Sequence, residues 1–296
     1  MRFHPSRRAV LAAAAALVTP VQSRAESGST ASAIRNAQTQ IAALESRDGG
    51  RLGVAILDTG GDLNLGHRQE ERFPMCSTFK LLAVSAVLKR VDQGTERLDR
   101  MIPYGAADLL NYAPVAKAHV DEGGMTLGGL CAAAIEWSDN TAANLLLRVI
   151  GGPDGFTRYA RSLGDEITRL DRDEPGLNTA IPGDDRDTTS PQAMLRNMRS
   201  ILLGQELSPA SRGHLELWLV QDKVGAKRLR AGLPPTWRIG DKTGTGDNGT
   251  ANTLGIIWPP ARKPILVAVY YTGSHAPAET LNATHAEIAG IIVNTF

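Results

Sequence analysis

The chain has 296 residues, 42% of them hydrophobic and 21% charged, with a formal net charge of +1. That is apolar residue enough for one large globular domain, or for two lobes sharing an interface. The near-neutral balance, with no basic stripe along the chain, leaves no electrostatic footprint for nucleic acid and points to small-molecule partners.

Residues 1–25 read as an export signal. Ser6-Arg7-Arg8-Ala9-Val10-Leu11 precedes an alanine-rich apolar stretch to Val18, and Ser23-Arg24-Ala25 offers a small-x-small cleavage pattern. The paired arginines resemble a twin-arginine signal; an ordinary secretory signal is the alternative. The apolar stretch is too short to span a bilayer permanently. The expectation is a periplasmic protein, monomeric and with no membrane anchor in its mature form.

In chain order, Ala33 to Glu45 places Ile34, Ala37, Ile41 and Leu44 on one helical face. Leu52 to Leu57 reads as a strand, Thr59-Gly60-Gly61 as a turn, and Leu63 to His67 as the return strand. Ser77-Thr78-Phe79-Lys80 then heads the apolar run Phe79 to Val91, which has the composition and spacing of a buried helix. At spacing i, i+3 Lys80 can touch Ser77, and a serine hydroxyl needs such an adjacent base to act as a nucleophile. The same residues also read as an N-cap and a surface lysine.

From Ser77 to Leu219 the pattern stays mostly helical, punctuated at Gly123-Gly124, Gly151-Gly152-Pro153 and Ile181-Pro182-Gly183. Ser138-Asp139-Asn140 lies between the helical segments Leu127 to Trp137 and Thr141 to Ile150. It suits either helix capping, or a proton relay with an amide for substrate. Glu174-Pro175-Gly176-Leu177-Asn178 occupies an irregular polar stretch. Its carboxylate and amide, four residues apart, can hold one water, with Glu174 as general base; a solvated acidic loop is the alternative. Arg172 and Asp187 bracket the stretch and can pair across its neck, closing an Ω-type loop at 172–187.

Strands return near the end. Trp237 to Thr245 contains Lys242-Thr243-Gly244-Thr245-Gly246, whose cation, hydroxyls and exposed backbone suit an anion, or merely a strand entering a hairpin. Asp247-Asn248-Gly249 is a strong hairpin signal, followed by strands at Leu254 to Trp258 and Ile265 to Tyr271. A closing helix carries Leu281, Ile288, Ile291 and Ile292 on one face. The fold class is therefore α/β of the α+β type. A five-stranded antiparallel sheet, flanked by the N- and C-terminal helices, forms a discontinuous lobe from residues 26–70 and 220–296. An all-helical lobe at 71–219 is inserted, carrying Ser77 and the Ω-type loop. Sites commonly form in the crevice between two such lobes. Cys76 and Cys131 read as small core residues, the six histidines show no metal-ligand spacing, and no metal or cofactor is expected.

Each motif has a bland explanation, but their conjunction does not. Together S-x-x-K, S-D-N, K-T-G and Glu174-x-x-Leu177-Asn178 resemble the class A serine β-lactamases, over essentially the whole mature chain. The resemblance implies an enzyme that opens the amide of penicillins and cephalosporins through an acyl-enzyme. Ser77 would attack, Lys80 would help to deprotonate it, and Ser138 would pass a proton to the leaving nitrogen. The backbone N–H groups of Ser77 and Thr245 would form the oxyanion hole. Asn140 would bind the acylamino side chain, and Lys242, Thr243 and Thr245 the substrate carboxylate. Glu174 with Asn178 would hold the deacylating water. Tyr112 would stand at the rim, and Glu174-Pro175 would be cis. Ala251 stands where some members carry a carboxylate-binding arginine; Arg228 matches the position that supplies it in others. Val84 and Gly246 stand where members with disulfides carry the cysteines that would pair with Cys131 and Cys76. A D,D-peptidase shares the serine motif but would lack the Glu174–Asn178 pair; a penicillin-sensing receptor domain, which stays acylated, would need a membrane tether and a signalling partner, and the sequence shows neither.

Overall fold

Strand side chains alternate between two faces, and here both faces are covered by apolar cores. The computed structural model describes residues 1, 22–61 and 63–296. The export-signal reading falls largely outside these residues. The chain runs through α1 (Gln22–Asp48), β1 (Arg51–Asp58), β2 (Leu63–His67) and β3 (Phe73–Pro74) into α2 (Phe79–Asp92). It continues through β4 (Met101–Pro103), β5 (Gly124–Thr126), α3 (Leu127–Glu136), α4 (Asn140–Ile150) and α5 (Gly152–Ser162). After β6 (Thr188–Thr189), α6 (Pro191–Leu203) and α7 (Pro209–Val220) come β7 (Arg238–Gly246), β8 (Thr250–Trp258), β9 (Ile265–Thr272) and α8 (Ala278–Thr295).

The main sheet has the order β2-β1-β9-β8-β7, antiparallel throughout. Val54, Ile56, Val267 and Val269 point into a core shared with Ala37 and Ile41 of α1 and Leu281 and Ile288 of α8. The neighbours Ala55, Leu57, Leu266 and Ala268 point the other way, into the core of the helical lobe. Burial on both faces explains why β1 reads as an unbroken apolar run rather than an alternating one.

The five expected strands are all present. Asn248 and Gly249 both take positive φ, 53° and 62°, as a tight hairpin turn requires. β8 begins four residues before the expected Leu254, because buried Thr250, Asn252 and Thr253 find polar partners that an apolar reading passes over. The ladders β3–β6 and β4–β5 were not anticipated; strands of two or three residues are too short to show a period. α1 starts well before the expected Ala33. Cys76 and Cys131 are buried free thiols.

α2 does not lie on the surface. Every residue from Phe79 to Leu88 is buried, so the helix passes through the centre of its lobe and takes Lys80 with it. On the opposite side of the sheet, His285 of α8 is also fully buried. Its Nε2 donates to the Ala251 carbonyl at 3.1 Å, so Nδ1 accepts from the Thr253 hydroxyl at 3.0 Å. Burial, reinforced by the nearby Arg228, holds this imidazole down at about 3, so it stays neutral in the folded chain.

The unfolded chain therefore binds a proton at His285 below about pH 6.5 that the folded chain refuses, and stability falls with pH in that window. Between pH 7 and pH 5 this group alone should remove about 2 kcal/mol. Denaturant titrations at the two pH values should show a smaller loss in His285→Gln, which has no group to titrate. An equal loss in both proteins would refute the assignment.

Candidate active site

The nucleophile turn is built by backbone geometry. Residues 76–78 form one 3₁₀ turn entering α2, and Cys76 holds the left-handed conformation at φ 45°. Ser77 does not cap the helix. Its hydroxyl instead accepts from Lys80 Nζ at 2.9 Å and donates to Glu174 Oε1 at 3.2 Å.

Lys80 is enclosed. Its Nζ also reaches the Ser138 carbonyl at 2.7 Å, Asn140 Oδ1 at 2.6 Å, Ser138 Oγ at 3.3 Å and Glu174 Oε1 at 3.0 Å. An ammonium has three hydrogens, so these oxygens share them. Burial pushes the Lys80 amine below its ordinary range, while Glu174 opposes that shift.

The Ser138-Asp139-Asn140 triplet divides the two roles that its sequence left open. Asp139 does the capping: its carboxylate accepts from the N–H of Ala142 at 2.8 Å, and from those of Val115 and Ala116 at 2.9 Å. Ser138, at φ 55°, is left to face the pocket and receives Lys242 Nζ at 3.0 Å. Lys242 has no exposed surface. Burial, with Lys80 nearby, lowers it to about 7, against the pull of Asp222, Asp241 and Glu174.

The Ω-type loop is tied at its neck as expected, with Arg172 Nε 2.6 Å from Asp187 Oδ2. The Glu174–Pro175 bond is cis. Asn178 Nδ2 donates to Glu174 Oε2 at 2.5 Å, while Asn178 Oδ1 is buried without a protein partner. Asn144 of α4, which sequence reasoning missed, grips the Glu174 backbone on both sides. Its Oδ1 accepts the Glu174 N–H and its Nδ2 donates to the Glu174 carbonyl, each at 2.9 Å. One asparagine in an amphipathic helix carries no signal for such a task.

The nucleophile turn and the Ω-type loop both press on β7, and its glycines permit it. A Cβ at Gly244 would stand 2.9 Å from the Met75 carbonyl, and one at Gly246 would stand 2.5 Å from the Asn178 carbonyl. β7 is an edge strand of the sheet, and its Thr243, Gly244 and Thr245 border the cavity. Arg228 is buried behind it, donating to Thr245 Oγ1 at 2.7 Å, the Gly244 carbonyl at 2.8 Å and Asn282 Oδ1 at 2.8 Å. Burial lowers Arg228 to about 10. The cavity, of about 320 Å³, is lined by Ser77, Ser138, Asn140, Asn178, Thr243 and Thr245 among others. Tyr112, 48% exposed, stands at its rim. Lys80, Glu174 and Lys242 lie behind this lining, within reach of its hydroxyls. Every residue expected at the site is thus gathered around one cavity.

Comparison with known proteins agrees with this geometry. The sequence model of the β-lactamase enzyme family matches residues 36–296. The chain is 45% identical over 295 residues to β-lactamase AST-1 of Nocardia asteroides, an alignment covering 97% of this chain and 95% of that protein. To β-lactamase CTX-M-97 of Escherichia coli it is 46% identical, over 88% of this chain and 89% of the other. The solved structure of an ancestral class A β-lactamase superposes with a TM-score of 0.87 at 58% identity, over 88% of this chain and all of that one.

The charge on Lys242 should control how strongly the cavity holds an anion. The amine is mostly protonated at pH 6 and mostly neutral at pH 8.5. Benzoate binding, measured calorimetrically, should therefore weaken by about tenfold between these values. Lys242→Met should bind weakly at both. A flat wild-type profile would remove Lys242 from this role.

Proposed function

Because the chain belongs to the class A serine β-lactamases, hydrolases of the β-lactam amide that confer resistance, we propose that it works through a Ser77 acyl-enzyme cleared by a Glu174-activated water. One observation carries the reading. Glu174 Oε1 lies 3.2 Å from Ser77 Oγ, so a buried carboxylate stands where a base must act on the nucleophile and later on its ester.

Substrate enters with its carboxylate against Lys242, Thr243 and Thr245, with Arg228 polarising the Thr245 hydroxyl. Asn140 accepts from Lys80 through Oδ1, which leaves its amide N–H groups for the acylamino carbonyl. The lactam oxygen lies between the N–H groups of Ser77 and Thr245, an arrangement worth roughly 3 kcal/mol to the transition state. Ser77 Oγ bonds to the carbonyl carbon as its proton leaves for one of the two bases that touch it. Lys80 is prepared for this by burial, which favours its neutral form. The C–N bond then breaks, and the nitrogen takes the Ser138 proton. Ser138 recovers a proton from Lys242 or Lys80, both in contact with its hydroxyl.

Deacylation falls to the loop. Asn178 occupies one oxygen of Glu174, leaving Oε1 to draw a proton from water, and Asn178 Oδ1 supplies a second acceptor for that water. The water oxygen bonds to the ester carbon, the acyl C–O bond to Ser77 breaks, and the Ser77 oxygen takes back a proton from Glu174, directly or through Lys80, both in contact with it. A peptidase or a sensor that stays acylated has no need of this pair, so Glu174 with Asn178 favours hydrolysis. The N-terminal arginine pair and apolar stretch support export to the periplasm. Among the described residues, no helix is long and apolar enough to cross a membrane.

Glu174→Ala should still acylate with a penicillin but release product at least about 100-fold more slowly. Intact mass should then show a stable adduct on Ser77, absent in Ser77→Ala. Wild-type turnover by Glu174→Ala would sink the assigned role.

A further inference from the structure

Asn252 of β8 is fully buried one strand in from the cavity, and no sequence motif marks it. Ala251 packs in the α8-side core and Thr253 meets His285 of α8, so strand alternation turns Asn252 toward the helical lobe. There its Nδ2 donates to two successive carbonyls, Pro74 at 2.8 Å and Met75 at 3.0 Å. Thr78 Oγ1 adds a third donor, 2.7 Å from the Met75 carbonyl. These carbonyls immediately precede Cys76. Its left-handed backbone costs about 1–3 kcal/mol and persists only where the surroundings hold it.

The other atoms of Asn252 bind it to the sheet. Its Oδ1 accepts the Tyr271 N–H at 3.2 Å, and its backbone carbonyl accepts Arg228 Nη1 at 2.6 Å. Across the ladder it pairs with Gly244, the residue before Thr245. One residue thus ties the turn that carries the Ser77 N–H to the strand that carries the Thr245 N–H.

We infer that Asn252 is a positioning residue for acyl transfer, its side-chain amide fixing the separation and aim of the two oxyanion-hole donors. The inference rests on the Ser77 acyl-enzyme reading and deepens it. A residue that only satisfied buried carbonyls would affect stability and leave the acyl ester unchanged. A residue that sets the oxyanion hole alters how strongly the ester carbonyl is polarised.

The test uses the Glu174→Ala background, where an acyl-enzyme would accumulate. Adding Asn252→Asp or Asn252→Ser should slow acylation by a penicillin about tenfold or more. It should also move the ester carbonyl stretch, read by infrared difference spectroscopy, to higher frequency. Acylation within twofold of the parent, with an unmoved stretch, would overturn the inference. Failure of the parent itself to acylate on Ser77 would instead overturn the underlying reading. A second measurement needs no change at Asn252. In the wild-type protein, phenylboronic acid in the cavity should shift the ¹⁵N resonance of the Asn252 side-chain amide, and an unshifted signal would overturn the inference even if neither variant folds.

Discussion

A fully buried lysine, whose charge must be matched whenever it carries one, is the constraint around which this protein is arranged. Removing such a charge from water costs several kcal/mol even after relaxation, unless partners replace the lost hydration. Lys80 finds them in three separate pieces of chain: its own helix turn, the Ser138–Asn140 junction and the Ω-type loop. None can withdraw without leaving a charge or a carboxylate stranded. The catalytic arrangement and the local folding of the lobe interface are therefore one problem with one solution. Burial also lowers the proton affinity of Lys80, which a base close to serine requires.

The site stores strain where chemistry needs fixed direction. Cys76 and Ser138 both take left-handed backbone conformations, and each belongs to a segment that aims a hydroxyl at Lys80. Neither is glycine, so both conformations are held from outside. Asp139 shows how. Its carboxylate caps the start of α4 and also collects two N–H groups from the Val115 segment, locking the junction from both sides. The mobile alternative, a polar loop presenting Ser138, would lose proton-transfer geometry first.

Much of this was legible from the residues. The five strands, the flanking helices and the neck pair Arg172–Asp187 follow from periodicity and turn chemistry, whereas the gathering of Ser77, Ser138, Glu174 and Lys242 is what the resemblance to the class A enzymes implies. What was not legible has a common cause. Asn144 and Asn252 act through single amides on backbone groups that are distant in sequence, and an isolated asparagine has no period or spacing to betray it. The early start of β8 escaped for the same reason, since long-range polar pairing made it rather than apolar pattern, and the two short ladders are too brief to show a period. The burial of Lys80 was legible only in part, from the buried-helix spacing of Phe79 to Val91. Its motif fits a surface lysine equally well until the enclosing elements are in place.

The pairing of β1 with β9 has a consequence in time. Arg51 lies against Thr272 and Asp58 against Ile265, so the sheet joins residues more than two hundred positions apart. β7 and β8 reach β1 only through β9. A ribosome must therefore finish the last strand before the edge facing Ser77 has any scaffold, and closing so long a loop makes assembly slow. Until β9 is made, the nascent chain holds Ser77, Lys80, Ser138 and Glu174 and no working site.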